Sequence, residues 1–407
     1  MLVILIAILA LAIWVHLSVG RGDYWLAGER DDLQEPAPPA AWPRVTAVIP
    51  ARDEADSIGT TIASLLGQAY PGALTIVLVD DESRDGTADV ARAAAAKAGA
   101  AERLTVLAGK PLPAGWTGKL WAVSQGVERA TSEMTPPDYL LLTDADITYA
   151  PEALARLVGR AERGSYVLTS LMAKLRCESV AERMFVPAFI YFFQMLYPFG
   201  WVNRPDRKTA GAAGGCMLVR PRALAAAGGI AAIRGALIDD CALGAALKRQ
   251  GPIWLGLTER VVSARPYEHV DDIRRMVARS AYAQLGYSPW LLAGCIIGMA
   301  LTYIAAPLLA LFAHGPAQAL GAAAVALMFM SYQPVLRFYR RSPWWGLALP
   351  LIALAYMAFT LDSAYQHGRG RGGLWKGRVQ AQAGAQSGTR PGPEAAPEIA
   401  THTAEMK

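Results

Sequence analysis

The sequence predicts an α/β domain on a mixed, mainly parallel sheet flanked by helices, with one amino-terminal and about three carboxy-terminal transmembrane helices. Three observations predict it. Short apolar runs alternate with helical patterns through the first half of the chain. Several of these runs end in clustered acids, as strands do where an open sheet gathers its ligand-binding groups. Long apolar stretches stand at the start and beyond position 288. The bulk composition agrees. Of 407 residues, 53% are hydrophobic and 18% charged, which is apolar for a soluble protein. The net charge of +5 is concentrated near apolar segments and reads as membrane-surface charge, not as a nucleic-acid footprint. Cys177, Cys216, Cys241 and Cys295 are scattered, so neither a zinc site nor a disulfide framework is expected, and a reducing, cytosol-facing domain fits.

The elements follow in order. Residues 1–20 form an uncleaved membrane anchor, almost all apolar with His16 and Ser18 as mild interruptions, and Trp14, Arg21, Tyr24 and Trp25 as interfacial residues. Residues 21–43 turn polar and Pro-rich, a linker. Residues 45–49 make a buried strand ending at Pro50, and Ile58, Ile62, Leu65 and Leu66 mark a helix. A second strand spans 74–79, and Asp85-Gly86-Thr87 turns into an Ala-rich helix that Asp85 caps. Residues 104–107 form a strand, 119–130 a helix and 139–143 a buried, largely apolar strand. Pro151 suits the first turn of the next helix.

Polar groups collect at the strand ends: Arg52, Asp53 and Glu54, then Asp80 and Asp81, then Asp144 and Asp146. So many acids on one rim repel unless a cation or hydrogen-bond donors share it. Asp144 and Asp146, one residue apart, can reach one Mg²⁺ or Mn²⁺ together with a diphosphate. No Gly-x-Gly-x-x-Gly follows the first strand, and no Gly-Lys-Ser/Thr loop is present. Dinucleotide oxidoreductases and P-loop NTPases are therefore disfavoured.

Residues 48–54 (Val-Ile-Pro-Ala-Arg-Asp-Glu), 79–87 (Val-Asp-Asp-Glu-Ser-Arg-Asp-Gly-Thr) and 143–146 (Thr-Asp-Ala-Asp) resemble family 2 glycosyltransferases of the GT-A fold. Residues 111–122 (Pro-Leu-Pro-Ala-Gly-Trp-Thr-Gly-Lys-Leu-Trp-Ala) narrow the resemblance to the hopene-associated glycosyltransferases of hopanoid biosynthesis. The resemblance implies that Pro50, Arg52, Glu54, Asp80, Asp81, Lys119 and Asp144 bind a nucleotide-sugar donor, and that Asp144 and Asp146 hold a divalent metal. It also implies that Asp240, with Asp239 beside it, is the base that takes the acceptor proton, giving inversion at the sugar. Gly214 and Gly215, in a Gly-rich segment before a strand, together with Arg279 would face the acceptor. The Gln-x-x-Arg-Trp of many membrane-bound relatives is absent around Arg279, which speaks against processive polymer synthesis.

Residues 184–202, rich in aromatics, are expected at the membrane interface, and 44–288 as the GT-A domain. Residues 289–365 hold three apolar stretches, 289–313, 317–336 and 344–361. The basic runs 337–341 and 369–378 both ask to be cytoplasmic although one apolar stretch separates them. The tail, 366–407, is basic and then disordered. The expected protein is a multi-pass inner-membrane enzyme with its catalytic domain in the cytoplasm. It would move a sugar, from a UDP-sugar for preference, to a hopanoid-type lipid. Ceramide-like or polyprenyl-phosphate acceptors are the alternative, and an inactive membrane scaffold is a third reading.

Overall fold

A computed structural model describes residues 1–33 and 35–370, and the backbone of 374–375 and 378–379. An eight-stranded sheet runs in the order β3-β2-β1-β4-β7-β6-β8-β5. Its strands are β1 (Val45–Ala51), β2 (Leu74–Asp80), β3 (Leu104–Ala108), β4 (Tyr139–Thr143), β5 (Ile147–Tyr149), β6 (Leu168–Leu175), β7 (Cys216–Val219) and β8 (Ile253–Ser263). The half made of β3, β2, β1 and β4 is parallel throughout. Strand β7 pairs antiparallel with both β4 and β6, β8 runs parallel to β6, and β5 closes the edge antiparallel to β8. β1 is buried along its whole length, as a strand covered on both faces must be. It tolerates Pro50 because its pairing with β4 stops at Val48, so the missing N–H lies beyond that ladder.

Helices Ala55–Leu66, Thr87–Lys97 and Ala153–Arg163 cover one face of the sheet. Helices Gly118–Thr131, Val180–Leu196 and Asp239–Lys248 cover the other. Gly126 lets the first of these sit close to the sheet, since a Cβ there would come within 2.5 Å of Val48 Cγ1. The second core does not end at the domain surface. It continues through Tyr191 and Phe192 to Trp14, Tyr303 and Tyr332 of the terminal apolar helices.

The structure differs from the expectations in four places. The helix Val180–Leu196 is a largely buried spine packed among the apolar helices. Tyr191 hydrogen-bonds Tyr24 and Ser331 at 2.8 Å each, and Phe192 packs edge-on against Tyr303. The expected linker is an ordered strap over residues 21–33: Tyr24 is buried, Arg30 bridges to Leu257, and Asp31 accepts from Thr258 Oγ1 at 2.9 Å. Pro151 lies in a turn before its helix, because the unexpected strand β5 stands between β4 and that helix. The stretch 344–361 is not α-helical from its start: a 3₁₀ segment, Pro343–Ala348, leads into the helix Leu349–Gly368. The tail beyond 370 lies outside the described residues, apart from the four backbone positions above.

Among the described residues, five helical segments are long and apolar enough to cross a membrane: Leu2–Val19, Val180–Val202, Pro289–Phe312, Pro316–Phe338 and Pro343–Gly368. Pro289–Phe312 contains a π-helical turn at Ala300–Ala305 and pairs with Pro316–Phe338 as a hairpin. Gly321 permits that close pairing, since a Cβ there would meet Leu309 Cβ at 2.7 Å.

Candidate active site

A cavity of about 570 Å³ opens at the carboxyl ends of β1 and β4, where open α/β sheets bind their ligands. Sequence-distant acids meet there. Asp144 and Asp146 follow β4, Glu54 follows β1, and Asp239 and Asp240 begin the helix Asp239–Lys248. Pro50, Lys119, Gly214, Gly215 and Arg279 line the same space. Its other walls are apolar, with Met172, Leu175, Phe189, Phe193 and Met276. Arg52, Asp80 and Asp81 do not line it. They sit beside it at the ends of β1 and β2, where Arg52 Nη1 donates to the Asp81 carbonyl at 2.5 Å and lies 3.5 Å from its carboxylate.

The two rim loops there are locked together. Asp53 and Glu82 both take left-handed backbone, at φ 50° and 56°. The Asp53 N–H donates to Ser83 Oγ, and Arg84 N–H donates to the Asp53 carboxylate. Asp85 caps, as its position implies. One oxygen accepts from Ala55 N–H at the start of the preceding helix and the other from Thr87 N–H and the Thr87 hydroxyl; burial raises its carboxyl most, but the Thr87 hydroxyl and the two N–H groups together outweigh it and hold it below the ordinary range.

Lys119 is the hub of the acidic end. Thr117 caps its helix by accepting from Leu120 N–H, and Trp116 packs against Trp121 at 5.1 Å, fixing the turn that presents the lysine. Its ammonium lies 2.9 Å from Asp144 and 3.1 Å from Asp239. Burial disfavours its charge, but Asp144, Asp239 and Asp240 outweigh burial and raise its pKa. Asp240 accepts from Gly214 N–H at 3.0 Å and from its neighbour Cys241 N–H at 2.7 Å. Burial first, then the charge of Asp239, pushes its carboxyl up to about 6, against the pull of Lys119 and those two N–H groups. Asp144 is raised too, by burial, with Lys119 opposing. Gly214 is not sterically compelled: a Cβ would meet Lys119 Nζ at 3.4 Å and Asp240 Oδ2 at 3.5 Å, both ordinary contacts.

Arg265 is the residue that sequence reasoning missed. Just past β8, it reaches Asp146 at 2.7 Å and Glu54 at 2.8 Å, joining the carboxylates at the ends of β4 and β1. Tyr267, also missed, lines the cavity, and the buried Glu182 accepts its N–H at 2.8 Å. Arg279 lines the cavity with no carboxylate in ion-pair range among the described residues, whereas Arg274 and Arg275 pair with acids of their own helix.

The donor set suits a hard divalent cation. Among the described residues no three His, Cys, Asp or Glu side chains form a ready cage. Mg²⁺ and Mn²⁺ need no such cage where one or two carboxylates and substrate phosphates complete the shell. The cavity is lined by six carboxylates and four basic side chains, an excess equal to the charge of one such ion.

Residues 46–227 match the family Glycosyl transferase family 2. Over 136 residues the chain is 35% identical to an undecaprenyl-phosphate 4-deoxy-4-formamido-L-arabinose transferase of Pseudomonas aeruginosa strain LESB58, and equally to that of strain UCBPP-PA14. The alignment takes in 32% of this chain and 36% of the relative, so the chain spans about a third of the length of the curated relatives it matches. In fold, the chain is similar to mannosyltransferase PcManGT from Pyrobaculum calidifontis, solved with GDP-Man and Mn²⁺. The TM-score is 0.53 at 19% identity, over 89% of this chain and 98% of that one. The family match covers β1 to β7 and with them Asp81, Asp144, Asp146 and Gly214, and the sheet is of the GT-A type.

Proposed function

We propose that the protein is a membrane-bound, inverting glycosyltransferase that moves one sugar from a nucleotide-diphosphate donor to a hydroxyl-bearing lipid. The observation that carries this reading is the cavity itself. An acidic end, with a raised-pKa carboxylate at Asp240, faces an apolar wall built from Phe189 and Phe193 of the helix that packs on the terminal apolar helices.

In this mechanism Glu54, Arg52 and Asp81 hold the nucleoside. Asp144 and Asp146 would hold a divalent ion, which when bound supplies charge neutralisation for the departing diphosphate. Asp240 accepts the proton of the acceptor hydroxyl as that oxygen bonds to the anomeric carbon, and the bond from that carbon to the diphosphate oxygen breaks on the opposite side. Gly214 N–H and Cys241 N–H fix the direction of the Asp240 carboxylate. Lys119 bridges Asp239 and Asp144 and offers its charge to the diphosphate. One displacement with no protein nucleophile inverts the sugar.

A base near pH 6 suits a neutral hydroxyl. A phosphate acceptor is already an anion, needs no base, and is repelled by Asp240. This favours a polyol lipid, and the resemblance of residues 111–122 supports a hopanoid acceptor and a UDP-sugar donor. The second reading, a polyprenyl-phosphate acceptor, is favoured by Arg279 in the cavity wall and by the acceptor in the name of the Pseudomonas relatives. In either case the catalytic domain is assigned to the cytoplasmic side of an inner membrane, where nucleotide sugars are made.

The test uses purified full-length protein with a panel of nucleotide sugars and a native lipid extract, read by mass spectrometry. A glycosylated polyol lipid is the expected product. A glycosylated polyprenyl phosphate would establish the second reading, and no transfer with any donor would sink both.

A further inference from the structure

The last apolar segment, Pro343–Gly368, has the length of a span, yet both of its ends meet the catalytic side. At its entrance, Lys174 of β6 donates to the Phe338 carbonyl at 3.0 Å, and Arg340 pairs with Glu259 of β8 at 3.1 Å. At its exit, Asp362 pairs with Arg274, and Ser363 Oγ accepts from Tyr282 N–H at 3.0 Å. His367 stacks on Tyr287 at 4.3 Å, beside the start of the helix Pro289–Phe312. A segment that crossed the bilayer would carry one of these ends to the far side.

The intervening chain dips and returns. After Arg341 it runs back along the helix Pro316–Phe338. Gln333 Nε2 donates to the Pro343 carbonyl, and Gly346 abuts Phe329 and Gln333. These contacts lie five to nine residues before Phe338, a depth of roughly 8 to 14 Å at 1.5 Å per residue. That is less than half of an apolar core about 30 Å thick. The helix Leu349–Gly368 then leaves this turn, passes the π-helical turn Ala300–Ala305 midway along its neighbour, and climbs to the domain. Its buried face holds Ile352, Tyr356 and Phe359, with Tyr356 Oη donating to the Phe185 carbonyl at 3.0 Å. Its other face, with Trp344 and Leu347 of the turn, exposes Leu351, Leu354, Leu361 and Tyr365 at helical spacing. Leu2–Val19 and Pro289–Phe312 also expose large apolar residues, so lipid acyl chains are the occupant these faces fit.

We propose that Pro343–Gly368 is a re-entrant element that enters the bilayer from the catalytic side and leaves by the same side. The membrane is then crossed three times, by Leu2–Val19, Pro289–Phe312 and Pro316–Phe338. This removes the charge conflict in the sequence: Arg337, Arg340 and Arg341 at one end and Arg369 at the other stand on one side, as short basic flanks do. Backbone that is not α-helical within the bilayer is tolerated only where protein covers it, and Gly346 at the turn is buried. The proposal does not depend on which sugar or lipid is used.

The test places three epitopes singly in the full-length protein: in the exposed loop after Met134, in the loop Ala313–Gly315, and at the carboxyl terminus. Sealed vesicles of one orientation are treated with an impermeant protease before and after permeabilisation. The epitopes after Met134 and at the terminus are expected to be cut together, and that at 313–315 from the opposite side. A terminal epitope cut together with the 313–315 loop would overturn the proposal, as would all three being cut from one side.

Discussion

At Asp240, burial and the neighbouring Asp239 make the folded protein hold a proton more tightly than the unfolded chain does. The stability this gives is complete below the ordinary carboxylate value and is lost as pH rises through about 6. Asp240→Asn removes that loss, so the variant is expected to melt no lower than the parent at pH 7. Transfer should fall by about 10²–10⁴, the usual worth of a positioned base, with donor affinity nearly unchanged. In the parent, transfer should rise through pH 6 to a plateau, because only the ionised carboxylate accepts the proton. Calorimetry and a pH profile check both, and a variant with full turnover removes Asp240 from the mechanism. Arg265 allows a prediction of opposite sign. Its guanidinium neutralises Asp146 at 2.7 Å and Glu54 at 2.8 Å, with its pKa raised by these acids against burial. Arg265→Met should therefore tighten binding of Mn²⁺ alone several-fold while weakening binding of the anionic donor. Titration calorimetry with the metal, without nucleotide, reads this directly; weaker metal binding would show that Arg265 orders Asp146 instead of competing for it.

Among the elements, the helix Val180–Leu196 couples the membrane side to the cavity. Ser179 and Glu182 form a reciprocal cap at its start. The same buried Glu182 carboxylate also accepts from Glu178 N–H and Tyr267 N–H, holding the loop that carries Arg265. Glu182→Ala leaves these donors unpaired in a buried place, so a loss of about 2–4 kcal/mol in stability is expected. Donor affinity should fall as the Arg265 loop loosens. Chemical denaturation and a donor-binding isotherm report the two separately. These long-range ties explain what the sequence made legible. Strands β1, β2 and β4 stood out because each is a short apolar run that stops at acids, and a strand buried on both faces needs little else. Strands β6 and β8 carry Lys174, Glu259 and Arg260 in their later halves, where they reach the edge of the domain, and this masks the apolar signal. Asp144 and Asp146 were legible because acids that end an apolar strand leave a local pattern, and Asp240 was legible through the family resemblance. Arg265 was not, because its partners lie 119 and 211 residues away and meet it only through the order of β4, β7, β6 and β8.

Across the whole molecule, the sheet and the apolar helices share one core, so the anchor is expected to act on the stability of the entire chain. Trp14 is fully buried, donates its indole N–H to the Thr302 carbonyl at 2.7 Å, and meets Tyr303 edge-on at 5.5 Å. Thr302 lies in the π-helical turn, where the regular ladder is interrupted and a carbonyl can accept from outside its own helix. Tyr303 in turn packs on Phe192, and Phe192 on Tyr356. A single contact of the first helix therefore supports the hairpin, the buried spine and the re-entrant helix together. Trp14→Phe keeps most of the apolar surface and removes the hydrogen bond, so it should cost about 1–2 kcal/mol, as such bonds do between membrane helices. Trp14→Ala also opens a cavity and should cost about 3–5 kcal/mol. Donor affinity should stay at the parental value in Trp14→Phe, because the groups proposed to hold the nucleoside, Arg52, Glu54 and Asp81, follow β1 and β2, whereas the Trp14 indole bonds Thr302 and packs on Tyr303. Thermal unfolding in detergent, run beside a nucleotide-binding isotherm, separates the two effects. A Trp14→Phe protein that melts with the parent would show that the first helix tethers the domain without bracing it.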